Sequence, residues 1–282
     1  MIDRILNKLG ISLNEMQQEA FQSIAHGNKD VVVLSPTGSG KTLAYLLPLS
    51  QLVDAGDDEP QAIVVTPGRE LALQSSTVLK DMGSGLRAMA CYGGRAAMDE
   101  HRVLKQVRPQ IIFGTPGRLN DHLSKGNFSP YHIKYLVIDE FDKCLEMGFQ
   151  DEMSRLIQSL PGLRRHFLLS ATEAEEIPRF VHMGRVEKID YRMDEEQVPE
   201  RVHIYKVESP VKDKLESLGR LLRSLGETST IVFLNYRDSV ERTNNYLVEQ
   251  GFSTSFFHGG LEQKEREASL YRFSNGSANI LV

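Results

Sequence analysis

The sequence predicts an α/β protein built as doubly wound parallel sheets in two successive units. Three observations carry that prediction. Short β-branched runs recur, and their apolar residues are consecutive rather than alternating, as in strands covered on both faces. Each run is followed by turn residues and a helical pattern, the rhythm of parallel crossovers. After Met183 that rhythm breaks into an acidic, proline-marked stretch and then resumes.

In chain order, the first strands are expected at "DVVVLS" (30–35), "AIVVTP" (62–67), "QIIFGTP" (110–116), "YLVIDE" (135–140) and "HFLLSA" (166–171). Functional residues in such sheets lie beyond the carboxyl ends of the strands. PTGSGKT, TPGREL, GTPGRL, IDEFD and SAT all sit at such ends. The stretch "DYRMDEEQVPERVHIYKV" (190–207) reads as a linker with an extended exit. A second series follows, with helices over 211–225, 237–250 and 262–273 and strands at "TIVFLN" (230–235) and "TSFFHG" (254–259). "ANILV" opens a further strand. Domains are therefore expected over 1–190 and 209–282, joined by a linker over 191–208. The halves share a rhythm but no clear sequence repeat.

At 282 residues the chain has room for one large or two ordinary domains. Its 40% hydrophobic and 25% charged content fits a soluble globular protein. No apolar run approaches a membrane span, and "MIDRILNKLG" lacks the apolar centre of a signal peptide. Two distant cysteines, Cys91 and Cys144, have no ligand-like neighbours in sequence. They read as buried reduced thiols of a cytoplasmic protein, and a zinc site is not expected. Net charge is −5, so gripping nucleic acid by bulk charge is disfavoured, while a local phosphate-binding groove remains open.

Two stretches carry chemistry. "SPTGSGKT" (35–42) follows a strand and opens a helix. Gly38 and Gly40 allow backbone N–H groups to turn inward around phosphate oxygens, with Thr37 and Ser39 completing the loop. Lys41 is placed to reach β/γ-phosphates and Thr42 to bind Mg²⁺, at a helix N-terminus that favours anions. Ser35 stands where the usual pattern has its first Gly. The second stretch, "YLVIDEFDKCLEMGF" (135–149), drives an apolar strand into Asp139, Glu140 and Asp142. Crowded carboxylates gain nothing from burial unless a cation balances them. In a phosphate-loop fold, such an Asp holds Mg²⁺ through the nucleotide, and Asp139 fits that role. Glu140 is placed to orient or deprotonate an attacking water. Asp142 also suits the N-terminus of a solvated helix.

Over nearly its whole length the chain resembles the DEAD-box ATP-dependent RNA helicases. "IDEFDKCLEMGF" is similar to the family's Asp-Glu-Ala-Asp motif, "TPGRELALQ" (66–74) to motif Ia, "YGG" (92–94) to the double-glycine motif and "GTPGRL" (114–119) to motif Ib. "LLSAT" (168–172) resembles motif III, "IVFLN" (231–235) motif IV, "HGGLEQKER" (258–266) the Gln-x-x-Arg region and "LNEMQ" (13–17) the Q motif. The resemblance implies two RecA-like (P-loop NTPase) domains that bind ATP and Mg²⁺ and act on RNA, chiefly through its backbone and with little sequence preference. It assigns adenine reading to Gln17, a contact an amide can make bidentately, with Gln18 as the alternative. It assigns coupling to Asp142, Ser170 and Thr172, and RNA contacts to Arg69, Gly93, Gly94, Thr115, Arg118, Gln263 and Arg266. His258, a lone His before two glycines, reads as structural.

The chain departs from the family at four points. Phe141 stands for Ala, Gly68 stands for Thr, and no aromatic lies between Met1 and Gln17. The sequence also stops at "ILV", before motifs V and VI, so the second domain is expected to be incomplete and turnover by this stretch slow. Two other readings stay open. One is a nucleotide-dependent RNA clamp or assembly factor without useful turnover; the other is a DNA helicase or translocase of related fold.

Overall fold

A computed structural model describes residues 2–94, 97–172, 177–192 and 203–282. The chain divides into two compact units, 1–197 and 198–282. Of the linker expected over 191–208, residues 193–202 lie outside the described residues.

The first unit contains, in order, α1 (Ile2–Leu9), α2 (Glu15–Ala25), β1 (Asp30–Leu34), α3 (Lys41–Leu52), β2 (Ala62–Val65), α4 (Arg69–Met82), β3 (Ala88–Cys91) and α5 (Ala97–Val107). It continues through β4 (Ile111–Gly114), α6 (Pro116–Ser124), β5 (Tyr135–Ile138), α7 (Phe141–Glu146), α8 (Gln150–Gln158), β6 (Arg165–Ser170) and β7 (Val186–Asp190). The described strands form one seven-stranded sheet in the order β3-β4-β2-β5-β6-β1-β7, parallel at every pairing.

The consecutive apolar runs are explained by two cores. Successive strand residues point to opposite faces. Val31, Val33, Val64, Phe113, Val137 and Phe167 join one cluster with residues of α1 to α4, including Ile5, Ile24, Leu46 and Leu79. Val32, Leu34, Ile63, Ile112, Leu136 and Leu168 join another with Leu104, Leu119, Cys144, Met153 and Leu156 of α5 to α8. Burying a side chain of this size contributes about 1.5–3 kcal/mol, so both faces hold the sheet between two helix layers.

Two strands escape the sequence reading. β3, "AMAC", is made of small residues with weak strand preference and alternates half-buried with buried. β7, "VEKID", is mostly exposed and charged. Both are edge strands, paired along one edge only, and neither carries the β-branched run of the inner strands. The expected strands are also shorter than their runs, because Ser35, Thr66–Pro67, Thr115 and Asp139–Glu140 belong to the loops beyond them, and Pro116 already opens α6.

The second unit contains α9 (Leu215–Leu225), β8 (Thr230–Ile231), α10 (Arg237–Glu249), β9 (Thr254–Ser255), α11 (Gln263–Ser274) and β10 (Ile280–Leu281). Its three parallel strands run β8-β10-β9 around a small core of Leu222, Val240, Leu247, Ile280 and Val282. The helix expected from 211 begins at Leu215, where Asp213 accepts the Leu215 N–H. Among the described residues, no helix is long and apolar enough to cross a membrane.

Candidate active site at the strand ends

The loop after β1 turns at two glycines with left-handed backbone, Gly38 (φ 80°) and Gly40 (φ 88°). Glycine is required twice over at position 40. A side chain there is strained by the dihedral and would run into the Gln17 amide. Lys41 opens α3 and is nearly buried, its Nζ donating to the Ser35 carbonyl (2.6 Å) and the Pro36 carbonyl (2.9 Å). An ammonium has three donors, so one is left for an anion. Burial pulls Lys41 below its ordinary range, and the carboxylates of Asp139, Asp142 and Glu140 push back. Thr42 is half-buried, Thr37 is exposed, and the buried Ser39 hydroxyl has no hydrogen-bond partner. An orphaned buried hydroxyl inside a glycine loop fits a ligand oxygen.

Gln17 sits at the third position of α2 and is 6% exposed. Its Oε1 accepts the Asn14 N–H (3.1 Å) while Asn14 Oδ1 accepts the Gln17 N–H (2.8 Å), a reciprocal capping box. Its Nε2 donates to the Gly40 carbonyl (3.1 Å), and Asn14 Nδ2 donates to the Ser39 carbonyl (3.0 Å). Half the amide's hydrogen-bonding capacity is thus engaged by the loop and the helix cap, and half remains for a base. Gln18 instead is exposed and donates to the Leu13 carbonyl. Asn14 is a residue the sequence reading passed over, although the Asn-x-x-Gln cap was legible.

The acids stand one strand away. β6 lies between β1 and β5, pairing Leu34 with Ser170 and Ile138 with Leu168. Asp139 is 3% exposed; its Oδ1 accepts the Glu140 N–H (3.0 Å), and its Oδ2 accepts the Tyr45 hydroxyl (3.3 Å). Burial and the neighbouring Glu140 charge push its carboxyl up to about 6, against these hydrogen bonds and Lys41. Glu140 takes a left-handed backbone (φ 49°, ψ 53°), which costs a non-glycine residue about 1–2 kcal/mol. Asp142 Oδ2 accepts both the Thr172 hydroxyl (2.9 Å) and the Thr172 N–H (3.1 Å), and the Ser170 hydroxyl donates to the Thr172 carbonyl (2.6 Å). Burial raises the Asp142 carboxyl, but those donors and the Lys143 N–H outweigh it and hold it below the usual range. Phe141 is buried and lines a cavity of about 90 Å³ with Leu168, Ile177 and Val186. At Gly68, which lacks a hydroxyl, the carbonyl accepts from the buried Thr66 hydroxyl (3.0 Å).

A second group follows the ends of β2, β4 and β3, which are neighbours on the other side of β5. Arg69 begins α4, Thr115 caps α6, and Gly93 and Gly94 follow β3. The Arg69 guanidinium packs against Gly93, leaving a Cβ at that position only van der Waals room. Arg118, expected to line the same groove, also makes an ion pair within the fold. It is 13% exposed, and its Nε donates to Glu100 Oε2 at 2.7 Å. Glu100, 4% exposed, also accepts from His122 Nε2 (2.8 Å) and from the Tyr92 N–H (3.2 Å). Asn127 Nδ2 donates to His122 Nδ1 (2.8 Å), leaving His122 Nε2 as the protonated nitrogen. Burial raises the Glu100 carboxyl, and its hydrogen bonds from His122, Arg118 and Tyr92 more than reverse that.

Cys91, which lacks ligand-like neighbours in sequence, lies beside Glu100 and His122 in space, all three buried. Arg118 already balances the Glu100 charge, and burial pushes the Cys91 thiol well above its ordinary range. The cluster is therefore accounted for as an ion-pair hub. Sequence spacing offers no signal for it.

In the second unit, Gln263 is buried and its Nε2 donates to Glu267 (3.0 Å). The Arg266 guanidinium lies 4.8 Å from the Phe257 ring centroid. His258 Nδ1 accepts the Gly260 N–H (3.1 Å), a turn-closing role.

Two family models match the chain: DEAD/DEAH box helicase over residues 14–180 and helicase conserved C-terminal domain over 213–282. The ATP-dependent RNA helicase DbpA of Escherichia coli K12 is 38% identical, over 98% of this chain and 61% of the relative. CshA of Limosilactobacillus reuteri, another ATP-dependent RNA helicase, is 34% identical over 95% of this chain and 54% of its own length. The chain thus spans about three fifths or less of these relatives. Among solved structures, Saccharomyces cerevisiae Dbp5 bound to RNA and ADP BeF3 has a TM-score of 0.83 at 25% identity, covering 99% of this chain and 72% of that one. A DEAD box protein from Methanococcus jannaschii has a TM-score of 0.60 at 28% identity, with 99% and 76% covered. The sheets described above are the RecA-like pair of these neighbours, the second smaller here. With a family model spanning more than half of its residues, the chain belongs to the DEAD/DEAH box helicase family.

Proposed function

We propose that the chain couples ATP binding and hydrolysis to unwinding or remodelling RNA, as an ATP-dependent RNA helicase. One observation carries the reading. Lys41, Asp139 and the Asp142–Thr172 pair come from the ends of β1, β5 and β6, three neighbouring strands. That juxtaposition supports a phosphate site wired to a coupling element.

In this reading Thr37, Gly38, Ser39 and Gly40 cradle the phosphates, the free Lys41 donor meets their charge, and Gln17 offers its remaining amide capacity to adenine. Mg²⁺ supplies charge neutralisation at the transferring phosphoryl group. Thr42 and Asp139 are the hard oxygen donors that would hold it, partly through water. Glu140 aligns the attacking water from the N-cap position of α7, where its backbone is left-handed. Asp142, Ser170 and Thr172 pass changes at the acids to the loop after β6. Arg69, Gly93, Gly94, Thr115 and Arg118 contact RNA backbone on the first unit, Arg118 while also holding Glu100, and Gln263 and Arg266 do so on the second. The unit boundaries 1–190 and 209–282 with a 191–208 linker, and a cytoplasmic setting for the two buried free thiols, belong to the same proposal.

Calorimetry with Mg²⁺-ADP tests the site: saturable binding is expected, and Lys41→Ala should weaken it sharply. A bidentate adenine contact is worth about 1–3 kcal/mol, so equal affinity for ADP and GDP would remove Gln17 from its role. ATPase stimulated by RNA rather than DNA separates the RNA reading from a DNA translocase. With net charge −5, RNA binding should show a shallow salt dependence.

Motifs V and VI are not among these 282 residues, and losing a transition-state arginine costs about 10³–10⁵ in rate. These residues alone are accordingly proposed to bind ATP yet turn over slowly, compared with a version extended by about one small domain. The buried Phe141 favours the second reading, an RNA clamp without useful turnover. Multiple-turnover phosphate release by the extended chain excludes it.

A further inference from the structure

We infer that Tyr45 is a positioning residue for Asp139, and through it for a divalent cation held with the nucleotide. The inference rests on the nucleotide-site reading above.

Tyr45 lies four residues after Lys41 on α3, so it faces the same side of the helix one turn further in. It is completely buried, its ring packed in the cluster with Ala44, Leu46 and Val64. A phenol buried that deeply needs a partner for its hydroxyl. The partner is Asp139 Oδ2 at 3.3 Å, and the fully buried Ser75 of α4 is its other polar neighbour. The other carboxylate oxygen, Oδ1, is held by the N–H of the next residue, Glu140. A backbone donor adjacent in sequence holds one oxygen but leaves the carboxylate free to swing about it. The Tyr45 hydroxyl, arriving from another element, is the second point that fixes the plane. At 3.3 Å the bond is long for O–H···O, so what it contributes is orientation more than strength. Hydrogen bonds of this outer kind typically set cation affinity by about 10–100-fold.

The test uses the whole 282-residue chain and ADP titrated by calorimetry across a range of Mg²⁺ concentrations. Tyr45→Phe keeps the ring and its packing. Its Mg²⁺-free ADP affinity should stay within about twofold of wild type. The Mg²⁺ concentration giving half of the affinity gain should rise about tenfold or more. In an Asp139→Asn background, the same Tyr45→Phe change should shift nothing, because its effect runs through that carboxylate. A Tyr45→Phe chain that melts earlier but keeps the wild-type Mg²⁺ midpoint overturns the inference and makes the hydroxyl a satisfied core group. A shift that persists in the Asp139→Asn background overturns it too. A wild-type chain whose ADP affinity ignores Mg²⁺ overturns the nucleotide-site reading, and the inference falls with it.

Discussion

Arg118→Ala separates a fold role from an RNA-contacting role for the arginine of "GTPGRL". The guanidinium is 13% exposed and meets a Glu100 carboxylate that is 4% exposed, at 2.7 Å. Removing one partner of a buried pair costs about 3–5 kcal/mol, because the other charge is left uncompensated. Glu100 retains His122 and the Tyr92 N–H, which points to the lower end, about 3 kcal/mol. For a unit of this size, each kcal/mol moves the melting temperature by about 2–4 °C, so the variant should melt about 6–12 °C earlier. Differential scanning calorimetry at pH 7 reads this. The shift should survive 1 M salt, since buried pairs are poorly screened. Adding Glu100→Gln to Arg118→Ala should recover part of the loss by removing the stranded charge. A variant that melts within 2 °C of wild type (about half a kcal/mol) yet loses RNA affinity across all sequences would refute this reasoning. Arg118 would then be a phosphate contact without the fold role.

Other variants probe the remaining geometry. Gly40→Ala should lower Mg²⁺-ADP affinity measurably by calorimetry, since it adds about 1–2 kcal/mol of left-handed strain and displaces Gln17. Phe141→Ala should cost about 3–5 kcal/mol in urea unfolding, because it enlarges a cavity already present beside a buried ring; a cost below about 1 kcal/mol would mean the pocket closes around alanine. Glu100 is held below its ordinary range, so its ion-pair stabilisation is complete above the unfolded value of about 4.3. It is lost as pH falls through the lower folded value. Glu100→Gln should therefore be less stable than wild type at pH 7, with the gap narrowing steadily in melts taken below about pH 4.

What the sequence determined follows from patterns that are local. Strands buried on both faces must be apolar at consecutive positions, so β1, β2, β4, β5 and β6 were legible. The glycine loop and the acids had to follow them, because ligands bind at carboxyl ends of parallel strands. The edge strands β3 and β7 were not legible, since neither carries a run of β-branched residues. Tertiary structure alone decided that Arg118 pairs with Glu100, eighteen residues away in sequence, and that Tyr45 reaches Asp139 across ninety-four. It also decided that Gln17 holds Gly40. Each is a single polar contact between elements distant in sequence. A periodicity records which face a residue presents, whereas the partner waiting on that face is set by how the strands are ordered.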